Sequence, residues 1–122
     1  EIAPMETRVN WWVGDFKSFH ATTLYDGIWA NFSLLHAPKK EITPLIQTIF
    51  KSLKPHGLFS LGLKLGIGEK RDKIGRKYSY FEEQEIRNIL SNEGFCHMSH
   101  YLGEAKGLDG ESANFIIIIS HA

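Results

Sequence analysis

Apolar residues along this chain fall into blocks whose spacing changes from one block to the next. Residues 1–7 show no period. From Arg8 to Val13 the chain alternates, with Val9, Trp11 and Val13 on one side and Asn10 and Trp12 on the other, which predicts a strand ended by Gly14-Asp15. Lys17 to Leu24 reads as a short polar link. The turn pair Asp26-Gly27 then opens a run that is apolar from Ile28 to Leu35, broken only by Asn31 and Ser33. A short apolar run bounded by turn signals predicts a strand over 26–35, buried on both faces of a parallel sheet. Its polar residues, Asn31, Ser33 and His36, come at the C-terminal end, the edge where open α/β sheets bind ligands.

The period changes after Pro38-Lys39-Lys40. Ile42, Leu45, Ile46, Ile49, Phe50 and Leu53 recur at i, i+3, i+4, i+7, i+8 and i+11, a single apolar stripe that predicts a helix. Thr43 is placed to cap it with Pro44 in its first turn, Lys51 and Lys54 suit its C-terminal dipole, and Pro55 with Gly57 closes it. Leu58 to Leu65 predicts a second strand, and strand, helix, strand at this spacing implies a right-handed parallel crossover. The Gly-rich, charged stretch 66–77 reads as a loop over the site. Ser79 and Glu82 have capping-box spacing for a second helix, whose buried side is Ile86, Ile89 and Leu90 and whose end is Gly94. Phe95 to Leu102 and Asn114 to Ser120 predict strands, and the connector GEAKGLDGES between them implies an antiparallel hairpin.

Composition narrows the partners. The 122 residues suit one domain, 1–122, and the 43% apolar content is ordinary for a globular core. Fourteen basic and fourteen acidic residues cancel, so charge makes no case for nucleic acid or an anionic membrane. The single cysteine, Cys96, excludes an internal disulfide and fits a reducing, cytoplasmic setting. The longest wholly apolar run, Phe115 to Ile119, is too short to span a bilayer, and no basic-then-apolar leader opens the sequence.

Candidate chemistry is thin. His97 and His100 fall three apart on a strand, facing opposite sides, and no cysteine cluster joins them, so no metal site is expected. Cys96 lies in a predicted strand with nothing to ionise it. Ser33 and His36 lack the strained elbow of a hydrolase nucleophile. GLKLGIG at 62–68 follows a strand as a phosphate cradle would, but no helix comes after it. Trp11 and Trp12 are core residues before they are ligand contacts.

The stretch YDGIWANFSLLHAP at 25–38 resembles the fourth-strand motif of the class I S-adenosylmethionine-dependent methyltransferases, in the tellurite-resistance-like branch of small-molecule enzymes. Other segments are similar in the same order: WWVGDF at 11–16 to the end of the third strand and LKPHGLFSLGLKLGIGE at 53–69 to the "LKPGG" turn and fifth strand. GRKYSYFEEQEIRNILSNEGF at 75–95 resembles the last helix region, and NFIIIISH at 114–121 the final strand. The resemblance implies a partial Rossmann-like α/β sheet of parallel strands with an antiparallel C-terminal hairpin, and S-adenosylmethionine as cofactor. It implies Asp15 and Phe16 at the adenine, Ala30, Asn31 and Phe32 along the cofactor, and Ser33, Leu34, His36, Tyr78 and Tyr80 towards a small-molecule substrate. A sulfonium methyl is already activated, so orientation and exclusion of water suffice and no dedicated base is implied.

Two features depart from the family. Its first strand with the Gly-rich turn, and the acidic residue ending its second strand, have no counterpart in the sequence, and His56 stands at the first glycine of the "LKPGG" turn. The chain is therefore expected to be a truncated methyltransferase domain, binding S-adenosylmethionine weakly or not at all by itself. The alternatives are a catalytically inactive remnant acting as an interaction or assembly module, and a small-molecule binder using the surviving half-pocket. Without the first two strands, the strand 26–35 is expected to have a bare apolar edge, covered either by 8–13 or, preferably, by a second copy in a dimer.

Overall fold

The computed structural model of the chain describes residues 24–71, 75–106, 110 and 112–122. The strand expected over 8–13, the link from Lys17, and Asp15 and Phe16 lie outside them.

Strand β1 (Tyr25–Asn31) passes through a 3-10 turn (Leu34–His36) into α1 (Lys39–Lys51), and β2 (Leu53–Leu65) returns parallel to β1. In register Gly27 meets Leu58, Ala30 meets Leu61 and Asn31 meets Gly62. A small hairpin follows, β3 (Glu69–Arg71) with β4 (Lys77–Phe81), and β4 continues parallel to β2 through Lys64–Tyr80 and Leu65–Phe81. After α2 (Glu83–Glu93), β5 (Cys96–Lys106) and β6 (Ser112–His121) form the expected antiparallel hairpin. β6, not β5, lies against β2, antiparallel to it, giving the order β1-β2-β6-β5. The architecture is thus mixed α/β with parallel strands and an antiparallel C-terminal hairpin.

One face of the sheet carries the core. Phe59, Leu61, Leu63, Ile116 and Ile118 meet Ile42, Ile46 and Ile49 of α1 and Ile86 and Leu90 of α2, all buried. Removing such side chains from water is what holds helices of this modest length to the sheet. The opposite face, through Trp29, Leu58 and Ile119, is partly open, with Trp29 68% exposed.

Several expected boundaries move. β1 stops at Asn31 rather than at 35, because Phe32 takes a φ of 62° and turns the chain out of the sheet. It is not buried on both faces either: Ala30 is in the core and Trp29 is outside. Helix α1 begins at Lys39 behind Pro38, whose extended geometry starts the helix without a side-chain cap, so Thr43 caps nothing and Pro44 sits in the second turn. Leu53 belongs to β2, which begins before the expected Leu58. The stretch 66–77 is not all loop, since β3 and the start of β4 come from it. Ser79 lies in β4, and α2 starts instead after Glu82, whose backbone N–H donates to Glu85 Oε1 at 3.2 Å.

His56, at the place of the resembling turn's first glycine, has a φ of 66°. Its N–H donates to the Ala122 carbonyl at 3.0 Å, and Ala122 N–H returns to Gly57 at 2.8 Å. The left-handed backbone that a glycine would adopt freely is kept here by a histidine, tied down by its hydrogen bond to Ala122.

Candidate functional site

The site forms where β1 and β2 end. Asn31, the last residue of β1, has its Oδ1 held by the Ser60 hydroxyl at 2.8 Å. With the oxygen engaged, the amide NH2 is left to donate outward, and Asn31 is exposed. Phe32 N–H closes the turn onto the Gly62 carbonyl at 2.9 Å. The Phe32 ring lies over Gly62, where an added Cβ would come within 3.3 Å of it, and meets Phe115 edge-to-face at 5.3 Å. Beyond the turn, Leu34 and Leu35 are buried, which fixes where His36 emerges.

His36 is held twice by β4. Its Nδ1 donates to the Lys77 carbonyl at 3.1 Å, and its ring stands 4.8 Å from that of Tyr78. A nitrogen facing a carbonyl carries the hydrogen, so Nε2 of the neutral ring is the one with a lone pair to offer. Ser79 secures the same junction by donating its hydroxyl to the Ala37 carbonyl.

These residues border an open cleft of about 480 Å³. Phe32, Phe115 and Ile117 line one side, and Leu35, His36 and Tyr78 another. Lys64, Arg76 and Lys106 bring cations to it, with Lys64 Nζ 4.0 Å above the Tyr78 ring and the Arg76 guanidinium 5.2 Å from that ring.

The β3–β4 hairpin is latched to the start of α1 by one carboxylate. Glu69 accepts from the Lys39 backbone N–H at 2.9 Å and from Lys77 Nζ at 2.9 Å. Lys39 Nζ in turn meets Glu85 at 2.8 Å. The Lys39 N–H, then the Lys77 hydrogen bond, hold the Glu69 carboxyl below its usual range. A lowered folded pKa means that the latch is complete above the ordinary glutamate range and is lost as pH falls through the depressed folded value. Glu69→Gln is therefore expected to lower the hydrogen-exchange protection factors of the Tyr78 and Tyr80 amides at neutral pH, and acid that protonates Glu69 is expected to lower them in the unsubstituted chain, each rate being taken relative to the intrinsic rate at that pH. Unchanged protection factors in both would show that the hairpin is held by its packing alone.

Of the residues singled out in the sequence, Phe32, His36 and Tyr78 meet at the cleft, and Asn31 and Ser33 flank its β1 end. Ala30 faces the core and Leu34 is packed within it. Tyr80 lies beside Tyr78, 6.3 Å between rings, with its N–H bonded to Gly68, and does not line the cleft. Lys64, Phe115 and Lys106 were not anticipated. The signal for Lys64 was there: it is the one charge in the apolar run from Leu58 to Leu65 and sits at its carboxyl end.

The other described histidines lie outside the cleft. The His97 ring is 6.0 Å from that of His121, while His100 meets Arg87 and Glu83 of α2. Among the described residues no three of His, Cys, Asp and Glu come together as a metal site would need, and no helix is long and apolar enough to cross a membrane. The stretch after Gly66 enters a strand, so no helix N-terminus stands behind it to receive a phosphate.

No protein-family model matches the chain and no curated protein matches it. Solved structures do. An S-adenosylmethionine-dependent methyltransferase from Methanosarcina mazei is similar with a TM-score of 0.70 at 20% identity, over 85% of this chain and 61% of that one. The 1,6-didemethyltoxoflavin-N1-methyltransferase of Burkholderia thailandensis, solved with 1,6-didemethyltoxoflavin and S-adenosylhomocysteine bound, is similar with a TM-score of 0.66 at 16% identity, over 87% of this chain and 47% of that one. TehB from Haemophilus influenzae is similar with a TM-score of 0.66 at 12% identity, over 90% and 40%. The fold is therefore that of the S-adenosylmethionine-dependent methyltransferases, of which the chain spans about half to three fifths in the first two structures.

Proposed function

We propose that this chain is part of an S-adenosylmethionine-dependent methyltransferase and that it carries the half of the site where a small molecule accepts the methyl group. The observation that supports this most is the cleft at the carboxyl ends of β1 and β2, bordered by Phe32, His36 and Tyr78, on a fold shared with methyltransferases. Fit to the cofactor rests on the end of β1. An exposed amide with a fixed NH2 (Asn31) beside an exposed aromatic ring (Phe32) can hold an adenosyl group by a hydrogen bond and by stacking.

S-adenosylmethionine, held there, would supply an activated methyl group on a sulfonium, with a neutral thioether as the leaving group. In this reading Asn31 and Phe32, with Asp15 and Phe16, hold the cofactor, and Ala30 anchors the strand end beneath them from the core. Ser33, His36 and Tyr78 stand on the acceptor side, with Leu34 anchoring the turn beneath it and Tyr80 backing Tyr78 from outside the cleft. His36 Nε2 takes the proton that the acceptor's nucleophile gives up, with Nδ1 kept on the Lys77 carbonyl so that the ring stays oriented. The single free cysteine, Cys96, supports a reducing compartment such as the cytoplasm. Titration with S-adenosylhomocysteine tests the reading. Saturable but weak binding is expected, with Kd roughly 1 mM, about −4 kcal/mol, because only strand-end contacts are supplied.

A second reading is a methyltransferase-like remnant that works as an assembly module. It is favoured by the open sheet face, where Trp29 is 68%, Tyr101 63% and Ile119 41% exposed. In either reading we place a second copy of the chain against β1, which among the described residues pairs with β2 alone. Light scattering across a dilution series is expected to show dimer giving way to monomer. A monodisperse monomer at every concentration would remove the second copy from the account.

A further inference from the structure

The two faces of the sheet are unlike. Residues in register share a face. On the side away from α1 and α2, Trp29 of β1 stands in line with Ser60 of β2, Ile119 of β6 and Ser99 of β5. In the rows on either side, Leu58 pairs with His121 and Ile117 with Tyr101. None of these positions carries an Asp, Glu, Lys or Arg. Trp29, Tyr101, Ile119 and Leu58 are all exposed. Large apolar groups left in water on four adjacent strands mark a surface that something covers.

The chain itself holds material that fits. Residues 1–23 precede Leu24, which leads straight into β1 at the margin of that face. Val9, Trp11, Trp12 and Val13 crowd one short run, and its nearest charges, Arg8 and Asp15, flank it rather than interrupt it. A charge-free run can meet a charge-free face without burying an ion. Twelve residues separate Val13 from Tyr25, a reach of at most about 40 Å. Crossing the face from β1 to β5 takes only about 14 Å, so the run can return over any of the four strands. A segment tethered this closely acts at an effective concentration of roughly 1 mM. A second copy competes only at the concentration of the protein.

We infer that residues 9–13 fold back over the open face of the sheet, with Trp11 and its neighbours covering Trp29, Leu58 and Ile119. The outer edge of β1 stays free for a second copy. The cover needs no cofactor, so it stands apart from the methyl-transfer reading. Where that reading also holds, the same stretch brings Asp15 and Phe16 within reach of Asn31 and Phe32.

Relaxation of the whole chain by a neutral, soluble gadolinium chelate tests the cover. Leu102 is the internal reference: it is 50% exposed, against 41% for Ile119, and its pairing with Ile116 puts it on the opposite face. An open face would let the Leu58 and Ile119 methyls relax nearly as fast as those of Leu102. Covered, they are expected to relax about threefold more slowly, at every dilution, with nuclear Overhauser contacts from the Trp29 indole to Val9, Trp11 or Val13. Replacing both tryptophans, Trp11→Ser with Trp12→Ser, is expected to raise the Leu58 and Ile119 rates to that of Leu102 while the amides of β2 and β6 keep their dispersion. Rates equal to that of Leu102 in the unsubstituted chain would overturn the inference. So would the absence of the Trp29 contacts, which are read without any substitution, or shielding that survives in the folded double variant. Shielding lost on dilution would overturn it as well and give the face to a second copy.

Discussion

Replacing Phe59 by alanine is expected to lower the stability of this chain by about 3–5 kcal/mol. Phe59 lies in β2 with none of its surface exposed, flanked in register by Ile28 of β1 and Ser120 of β6. Its ring stands 5.3 Å from Phe95, which itself meets Phe50 of α1 edge-to-face at 5.0 Å. Truncation would leave a hole between the sheet and the α1 end of the core, with rings too stiff to collapse into it. A domain of this size has only about 5–15 kcal/mol in all, so much of the native margin goes. Urea denaturation should show a large drop in midpoint with little change in slope. A loss below about 1 kcal/mol would mean that Phe59 is not at the centre of the packing.

Gly94→Ala should be the most damaging of the glycine substitutions at a helix end or loop, at about 2–4 kcal/mol from backbone and crowding together. Gly94 closes α2 with a φ of 116°, its N–H on the Ser91 carbonyl and the Phe95 N–H on Leu90. A Cβ there would stand 2.8 Å from Cζ of Phe50, a ring already fixed by Phe95. Gly75 makes the comparison clean. Its φ of 87° is also left-handed, but nothing lies within 4 Å of the added carbon. Gly75→Ala should therefore cost only the backbone part, about 1 kcal/mol. Equal thermal shifts for the two variants would show that the Phe50 ring gives way.

What could be read from the chain, and what could not, follows the physics of each segment. The stripe from Ile42 to Phe50 and the hairpin from Cys96 to His121 were readable because long, regular apolar spacing admits one arrangement. Gly94 announced the end of α2 because few residues other than glycine take a positive φ easily. The end of β1 was not readable: Phe32 carries a positive φ that its residue type argues against, and only the Gly62 carbonyl and the space above Gly62 reveal why it turns there. The β3–β4 hairpin was missed because Glu69–Arg71 is all charge, and its strand character depends on pairing with β4 and on the Glu69 contacts to Lys39 and Lys77. At the site, His36 and Tyr78 were visible as polar groups near a strand end. Their union was not, since a Lys77 carbonyl forty-one residues away orients the imidazole. Phe115 joins them only because β6 inserts beside β2.

The measurement that bears most directly on the central claim is the location of cofactor binding. An amide-resolved NMR titration of the chain with S-adenosylmethionine should give saturable shifts confined to the end of β1 and the turn after it, at Ala30, Asn31, Phe32 and Ser33, with His36 at the margin and the β5–β6 tip silent. Shifts absent to several times the expected Kd of roughly 1 mM, or centred anywhere but the carboxyl ends of β1 and β2, would contradict the account.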